Sequence, residues 1–278
     1  MLMSSTSKPL LSGLDRLNAA KAYIFDMDGV LYRGSAPLPG AIELFAALDL
    51  RGIDYRLATN NSTLTPAQYV VKLAGMGIEV PETAIVTSGT ATRQYLQNAL
   101  PSETGVLVIG EPALSDQLFA TGHLRPARSA DEISAVVVGL DREFTYAKLY
   151  DAHMAIQAGA QFVATNADVT LPTEVGLVPG CGSIVAAISA STGVQPAVVG
   201  KPETLLFEIA FEQMGCDPNE TVAIGDRLDT DIVAAGKTGV LSLMVLTGVS
   251  TREEISATAI KPDMVFTDLN AILDAIVH

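Results

Sequence analysis

Asp26 and Asp28, separated by Met27 and followed by Gly29, are the residues of this 278-residue sequence best placed to do chemistry. Two carboxylates this close repel, and stay ionised together only where a cation or hydrogen-bond donors offset the repulsion. A hard divalent ion such as Mg2+, which takes oxygen ligands, meets that need. Asp and Gly are also ordinary turn residues. On this stretch alone, a strand ending in a polar turn reads equally well.

The elements that must position the pair decide between these readings. Ala22–Phe25 is a short apolar run of the kind found in buried parallel strands. In an open parallel sheet, ligands gather beyond the carboxyl ends of the strands. While the strand lasts, alternation would aim Asp26 and Asp28 to one side. Three further apolar runs end in the same manner. Ile53–Ala58 leads into Thr59-Asn60-Asn61-Ser62, with a helix start at Thr65-Pro66. Ala197–Val199 leads into Gly200-Lys201-Pro202, and Thr221–Ile224 into Gly225-Asp226, with Asp229 and Asp231 beyond.

Strands are also expected over 84–86, 105–109, 135–138, 161–164, 241–246 and 264–266. Helical stretches lie between them, at about 41–50, 66–75, 88–100, 112–120, 145–158, 183–191 and up to Met214. Alternating strand and helix means an α/β fold with a mainly parallel sheet. Asn166–Gly182, rich in Pro and Gly, reads as a loop, and Met1–Leu14 as a flexible lead-in. Polar chemistry is confined to 26–62 and 200–231, which suggests a middle domain inserted into an outer one.

If the four strands are parallel neighbours, their ends meet at one sheet edge. That edge holds carboxylates for a metal, hydroxyl and amide donors from Thr59 and Asn60, and the ammonium of Lys201. A phosphoryl group needs this set: cations to neutralise its charge and donors to hold its oxygens. An Asp can then serve as covalent nucleophile. A second Asp two residues on is placed to protonate the leaving oxygen and later activate water. Each piece alone is an ordinary turn, cap or surface charge; their conjunction in order is what carries weight.

Composition narrows the field. A net charge of −14 argues against nucleic-acid and anionic-membrane partners, which are held by Lys and Arg. It also requires a bound cation and local donors to reverse the field for an anionic substrate. The absence of Trp makes a base-stacking platform a poor reading. No apolar run reaches membrane-span length, and the start lacks the features of a signal peptide. Cys181 and Cys216 have no metal spacing and read as apolar filler in a reducing cytoplasm. His123, His153 and His278 are scattered without metal spacing.

These residues resemble the haloacid dehalogenase superfamily of Mg2+-dependent phosphatases. Asp26-Met27-Asp28-Gly29-Val30-Leu31 is similar to its first motif, Thr59-Asn60 to its second, Lys201 to its third, and Gly225-Asp226 with Asp229 and Asp231 to its fourth. Tyr32-Arg33-Gly34, Thr165-Asn166-Ala167-Asp168 and Pro179-Gly180-Cys181-Gly182-Ser183 add a likeness to the NagD-like, p-nitrophenyl phosphatase-like branch. The resemblance implies a Rossmann-like core over 1–87 and 196–278, with an α/β cap over 88–195 inserted between the second and third motifs. It implies a phosphomonoesterase acting on a small phosphorylated metabolite through an aspartyl-phosphate. Asp26 would be the nucleophile and Asp28 the general acid and base. Mg2+ would be held by Asp26, the Asp28 backbone carbonyl and Asp226, supported by Asp231. Thr59, Asn60 and Asn61 would cradle the phosphate, and Lys201 would steady it and Asp26. Related caps often take part in dimer contacts, so the resemblance allows a homodimer. In the loop over 169–175, Leu171 precedes Pro172 where pyridoxal phosphate phosphatases are expected to carry His, which speaks against that substrate.

Three other readings stay open at this stage. A phosphotransferase would use the same scaffold with an acceptor hydroxyl. A receiver-type phosphoacceptor shares the acidic pocket, Thr and Lys, but is much shorter and has no use for Asp28. A catalytically silent phospho-ligand-binding protein would keep the fold alone.

Overall fold

The computed structural model describes residues 13–173 and 176–277. Expectations for Met1–Ser12, for Glu174 and Val175 of the loop expected over 169–175 and for His278 lie outside the described residues; Gly13 and Leu14 open a helix, Gly13–Asn18.

A six-stranded sheet carries most of the polar strand ends, in the order Met264–Phe266, Leu241–Val245, Thr221–Gly225, Ala22–Phe25, Asp54–Thr59, Ile85–Thr87. Every neighbouring pair is parallel. Ala22–Phe25 lies centrally, with Ala22 in register with Thr221 on one side and Asp54 on the other. Alternation explains why all four of its residues are apolar and buried. Tyr23 and Phe25 enter a cluster with Leu57, Val222, Ile224 and Leu243. Ile24 enters the opposite one with Ala58, Val86 and Ala223.

A second parallel sheet has five strands, in the order Ala197–Val198, Gln161–Ala164, Ile133–Val138, Thr104–Ile109, Leu124–Pro126. One face packs Val136, Val138 and Phe162 against the helices Tyr146–Gln157 and Cys181–Thr192. The other contributes Val106, Ala135 and Val163 to the same apolar cluster as Ile24 and Ala58. Helices Ser88–Ala99 and Leu205–Met214 supply Leu96 and Phe207 to this shared layer. The two sheets therefore hold each other through side chains as well as through the chain crossings.

Helix starts follow local chemistry. Thr65 caps Pro66–Ala74 in a capping box with Gln68, with Pro at the first position. Thr87 caps Ser88–Ala99 in the same way with Thr90.

Two expectations need correction. The strand before Lys201 belongs to the second sheet, not the first: Ala197 pairs with Val163 and Val198 with Ala164. A two-residue strand has too little side-chain pattern to say which sheet it joins. The stretch 166–182 is not simply loop. It holds an antiparallel pair, Thr170–Thr173 with Gly176–Pro179, where Pro172 and Pro179 sit in a two-stranded ribbon. A ribbon of this size is all edge, and proline is tolerated on edges. Among the described residues, no helix is long and apolar enough to cross a membrane.

Candidate active site

The carboxyl end of the central strand gathers the predicted residues. Lys201 Nζ lies 2.5 Å from Asp26 Oδ1, 2.7 Å from Asp231 Oδ1 and 2.8 Å from the Ala58 carbonyl oxygen, to which it donates. The lysine is 3% exposed, so its charge exists only because carboxylates surround it. Asp26, Asp226 and Asp231 each offer a carboxylate oxygen, and these three atoms lie within 4.8 Å of one another. Asp231 Oδ2 accepts hydrogen bonds from the backbone N–H of Asp226 (3.2 Å) and Arg227 (3.1 Å). Asp226 Oδ2 accepts from Val249 N–H at 2.7 Å. Asp226 Oδ1 is buried without a hydrogen-bond partner among the described residues. A buried carboxylate oxygen left unpaired beside two more carboxylates is the donor set a hard cation takes.

Asp28 does not share in this cluster. The strand ends at Phe25, so the alternation expected to align the two carboxylates no longer applies. Gly29 turns the chain at φ 84°. Leu31 N–H donates to the Met27 carbonyl at 2.8 Å, and Gly29 N–H to the Tyr32 carbonyl at 2.9 Å. The Asp28 carboxylate accepts from Tyr32 Oη at 3.1 Å. Glycine is required at 29 twice over: by the positive φ, and because a Cβ there would stand 2.5 Å from Asp226 Oδ2.

Thr59, Asn60 and Asn61 follow the neighbouring strand. Thr59 Oγ1 accepts from Asn61 N–H at 3.1 Å. Asn61 Oδ1 caps the next turn, accepting from Thr63 N–H (2.9 Å) and Thr63 Oγ1–H (2.7 Å). Asn60 is committed to joining elements. Its Nδ2 donates to the Lys201 carbonyl (2.8 Å) and to Asp168 Oδ2 (3.2 Å). Its carbonyl accepts from Asn166 Nδ2 (2.8 Å) and Ser88 Oγ (2.6 Å). Thus one asparagine bonds to the third motif and to two residues of the second sheet's loop.

Burial sets the electrostatics. It pushes the Asp26 carboxyl up to about 7 even against the pull of the Lys201 ammonium, and Asp231 adds to the push. Burial, then Asp231 and Asp26, raise Asp226 well above the usual carboxylate range. Burial also raises Asp28, opposed by Lys72 and Tyr32, and raises Asp168, opposed by Arg227. Lys201 goes up, because Asp231 and Asp26 outweigh the burial that would lower it. The group is thus overloaded with negative charge, and a cation would relieve it.

The structure brings Asp26, Asp28, Thr59, Asn60, Asn61, Lys201, Asp226 and Asp231 into one cleft. It leaves Asp229 out: that side chain pairs with Arg227 (Nη2 to Oδ2, 3.0 Å) and is 67% exposed. The carboxylate set that converges contains the side chain of Asp231 and not that of Asp28. Sequence reasoning gave no sign of Leu140 or Val249, which also line the cleft, whereas Thr170 and Leu171 line it from the loop over 169–175, where Leu171 stands before Pro172. It noted Asn166 and Asp168 only as a likeness. The signal was present, since Thr165-Asn166 follows the Gln161–Ala164 strand as Thr59-Asn60 follows its own. Cys181 lines the cleft too, but burial pushes its thiol up to about 12, which disfavours the reactive thiolate.

Comparison with known proteins agrees with this geometry. Residues 23–123 match the family model for haloacid dehalogenase-like hydrolases, and 198–272 a second model of HAD-hydrolase-like proteins. An acid sugar phosphatase of Staphylococcus saprophyticus is 38% identical, over 91% of this chain and 96% of its own length. The crystal structure of a 4-nitrophenylphosphatase from Thermotoga maritima superposes with a TM-score of 0.88 at 35% identity, covering 94% of this chain and 99% of that one. NagD from E. coli K-12 superposes with a TM-score of 0.83 at 30% identity, covering 90% and 97%. The chain belongs to the haloacid dehalogenase-like hydrolases, among their NagD-like phosphatases.

Proposed function

We propose that this phosphatase hydrolyses the monophosphate of a small, hydroxyl-rich metabolite, of the sugar-phosphate type, through an aspartyl-phosphate on Asp26. The observation that carries the reading is the Lys201 ammonium, buried between Asp26 and Asp231 and beside Asp226 at the end of the central strand. Asp26 attacks phosphorus, forming a carboxylate–phosphorus bond as the bond to the leaving oxygen breaks. Asp28 gives that oxygen its proton, then takes one from the water that hydrolyses the intermediate. Thr59 and the loop through Asn61 hold phosphate oxygens, and Lys201 draws Asp26 toward its ionised form and aims it.

The donor set fits Mg2+: Asp26, Asp226 and the backbone carbonyl of Asp28, with Asp231 behind them. The unpaired Asp226 Oδ1 and the crowding of carboxylates support this fit. The ion, when bound, neutralises phosphate charge and the mutual repulsion of the carboxylates.

The leaving group would face Leu140, Asn166, Asp168, Thr170 and Leu171. Among the described residues of the cleft there is no aromatic ring, so a nucleobase or pyridine ring finds no stacking partner. Amide, carboxylate and hydroxyl groups suit a polyol instead. The name of the Staphylococcus relative, an acid sugar phosphatase, is consistent with this choice. A cytoplasmic location suits a metabolite substrate and two free cysteines.

The test is phosphate release from a panel of sugar phosphates, phosphoglycolate, nucleoside monophosphates, pyridoxal phosphate and 4-nitrophenyl phosphate, with Mg2+ or with EDTA. Mg2+-dependent release, led in kcat/KM by a sugar phosphate among the natural substrates, is the expected outcome. A nucleotide or pyridoxal phosphate far ahead would overturn the substrate class. Undiminished release in EDTA would overturn the metal.

A further inference from the structure

Tyr32 has no part in the reaction outlined above, yet it is the hydrogen-bond donor to the Asp28 carboxylate. The ring is 0% exposed and its Oη reaches Asp28 Oδ2 at 3.1 Å. The backbone ties the same two positions: Gly29 N–H donates to the Tyr32 carbonyl at 2.9 Å, and Asp28 and Tyr32 form an isolated bridge. From the other side, Lys72 Nζ stands 3.8 Å from the Tyr32 ring centroid. The ring is thus clamped between the apolar core, where it packs in the Phe25 and Leu57 cluster, and a cation on its face.

The hydroxyl could simply be a buried group finding an acceptor, as buried tyrosines do. Its choice of acceptor has a chemical consequence. A carboxyl group has one oxygen to protonate and one to accept. A donor fixed on Oδ2 leaves the acidic proton on Oδ1, and it holds the carboxyl away from the Asp26, Asp226 and Asp231 cluster.

We infer that Tyr32 is a positioning residue for proton transfer: it fixes the rotamer and the proton-bearing oxygen of Asp28 so that Oδ1 faces the leaving oxygen. This rests on the reading of Asp28 as general acid. In the step concerned, phosphorus passes to Asp26, the bond to the leaving oxygen breaks, and the Oδ1 proton goes to that oxygen. An alkoxide leaves poorly without the proton. 4-Nitrophenolate is a stable anion and leaves without it. Misplacing the acid therefore harms the two substrates unequally, whereas a packing defect harms both alike.

The experiment measures kcat/KM of the Mg2+-loaded full chain for glycerol phosphate and for 4-nitrophenyl phosphate, in the wild type, Y32F and D28N. kcat/KM reports steps up to loss of the leaving group, so hydrolysis of the intermediate does not enter. In Y32F the ratio of glycerol phosphate to 4-nitrophenyl phosphate is expected to fall about tenfold, a fraction of the 10²–10⁴ a general acid supplies. D28N should lower the ratio further, and Y32F/D28N should match D28N. An unchanged ratio in Y32F alongside a lowered ratio in D28N would overturn the role of Tyr32 alone. An unchanged ratio in D28N would overturn the acid assignment and the inference with it. Should Y32F fail to fold, K72M loosens the clamp while keeping the hydroxyl; the ratio should fall there too, and no change would overturn the inference.

Discussion

Lys201 Nζ lies 2.5 Å from Asp26 Oδ1, although 175 residues separate them in sequence. Asp26 follows the central strand of one sheet, whereas the strand leading to Lys201 edges the other. The contact therefore depends on how the two sheets sit together, and its carboxylates depend on it. K201M leaves Asp26 and Asp231 buried without their cation. Breaking such a pair destabilises by roughly 3–5 kcal/mol, and loss of one preorganised charge at a reacting centre lowers kcat by about 10²–10³. Chemical denaturation and steady-state kinetics read both. Wild-type turnover in K201M would contradict the assignment.

D26N keeps the shape of the side chain and removes the nucleophile. The variant is expected to stay folded, with circular dichroism like the wild type's, and to release no phosphate above background. Measurable turnover would show that another group attacks phosphorus.

The raised carboxyl groups make the metal-free protein respond to pH in a definite direction. Asp26 titrates at about 7 in the fold, above its usual range, because burial outweighs Lys201. The folded state then binds this proton more tightly than the unfolded chain. Its contribution to stability is complete below the ordinary carboxylate range and is lost as pH rises through about 7. Asp226, raised by burial and by Asp231, acts in the same sense. In EDTA, Tm should fall across this window, and D226N should flatten the fall. Mg2+ should raise Tm more at pH 7.5 than at pH 5, because the ionised carboxylates bind it. A Tm gain from Mg2+ independent of pH would contradict a carboxylate site.

Asn60 joins the second motif to the third and to the loop after Gln161–Ala164 through Lys201, Asp168 and Asn166. N60A removes both donations from its amide, and leaves the Lys201 carbonyl short of a partner. A stability loss of about 1–3 kcal/mol is expected, with kcat/KM falling for every phosphomonoester because Thr59 and Lys201 lose their tie. Ser88 serves as comparison: S88A removes only its one bond to the Asn60 backbone carbonyl and should lose less.

G29A tests the crowded approach of the first motif to the fourth. A methyl group there meets Asp226 Oδ2 and forces a side chain into a φ of +84°. The variant should unfold more easily by about 1–3 kcal/mol, and its Mg2+ activation curve should shift to higher concentration. An unshifted curve would separate the turn from the metal ligands.

Much of this was legible in the sequence because the site is built from strand ends. An apolar run stopping at Asp26, another at Thr59 and another at Asp226 give both the element and the residue it presents, and parallel pairing brings those ends together without further information. What sequence left open lies where pairing depends on few residues or on three-dimensional packing. Ala197–Val198 is too short to declare its sheet. The ribbon at Thr170–Thr173 and Gly176–Pro179 is hidden by its prolines and glycines. The separate fates of Asp28 and Asp231 follow from the turn at Gly29 and the return of Asp231 toward the backbone of Asp226, neither of which has a periodic signature. Asp229, two residues from Asp231, stays exposed and pairs with the Arg227 guanidinium, while Asp231 is buried against Lys201.

In the proposed reaction Asp26 becomes phosphorylated during turnover. Mixing the Mg2+-loaded wild type with excess substrate, quenching in acid within a turnover and weighing the proteolytic fragments tests it directly. One added phosphoryl group is expected on the peptide bearing Asp26, lost on longer incubation as substrate is exhausted, and absent in D26N. Active enzyme that releases phosphate while that peptide stays unmodified at every quench time would contradict it.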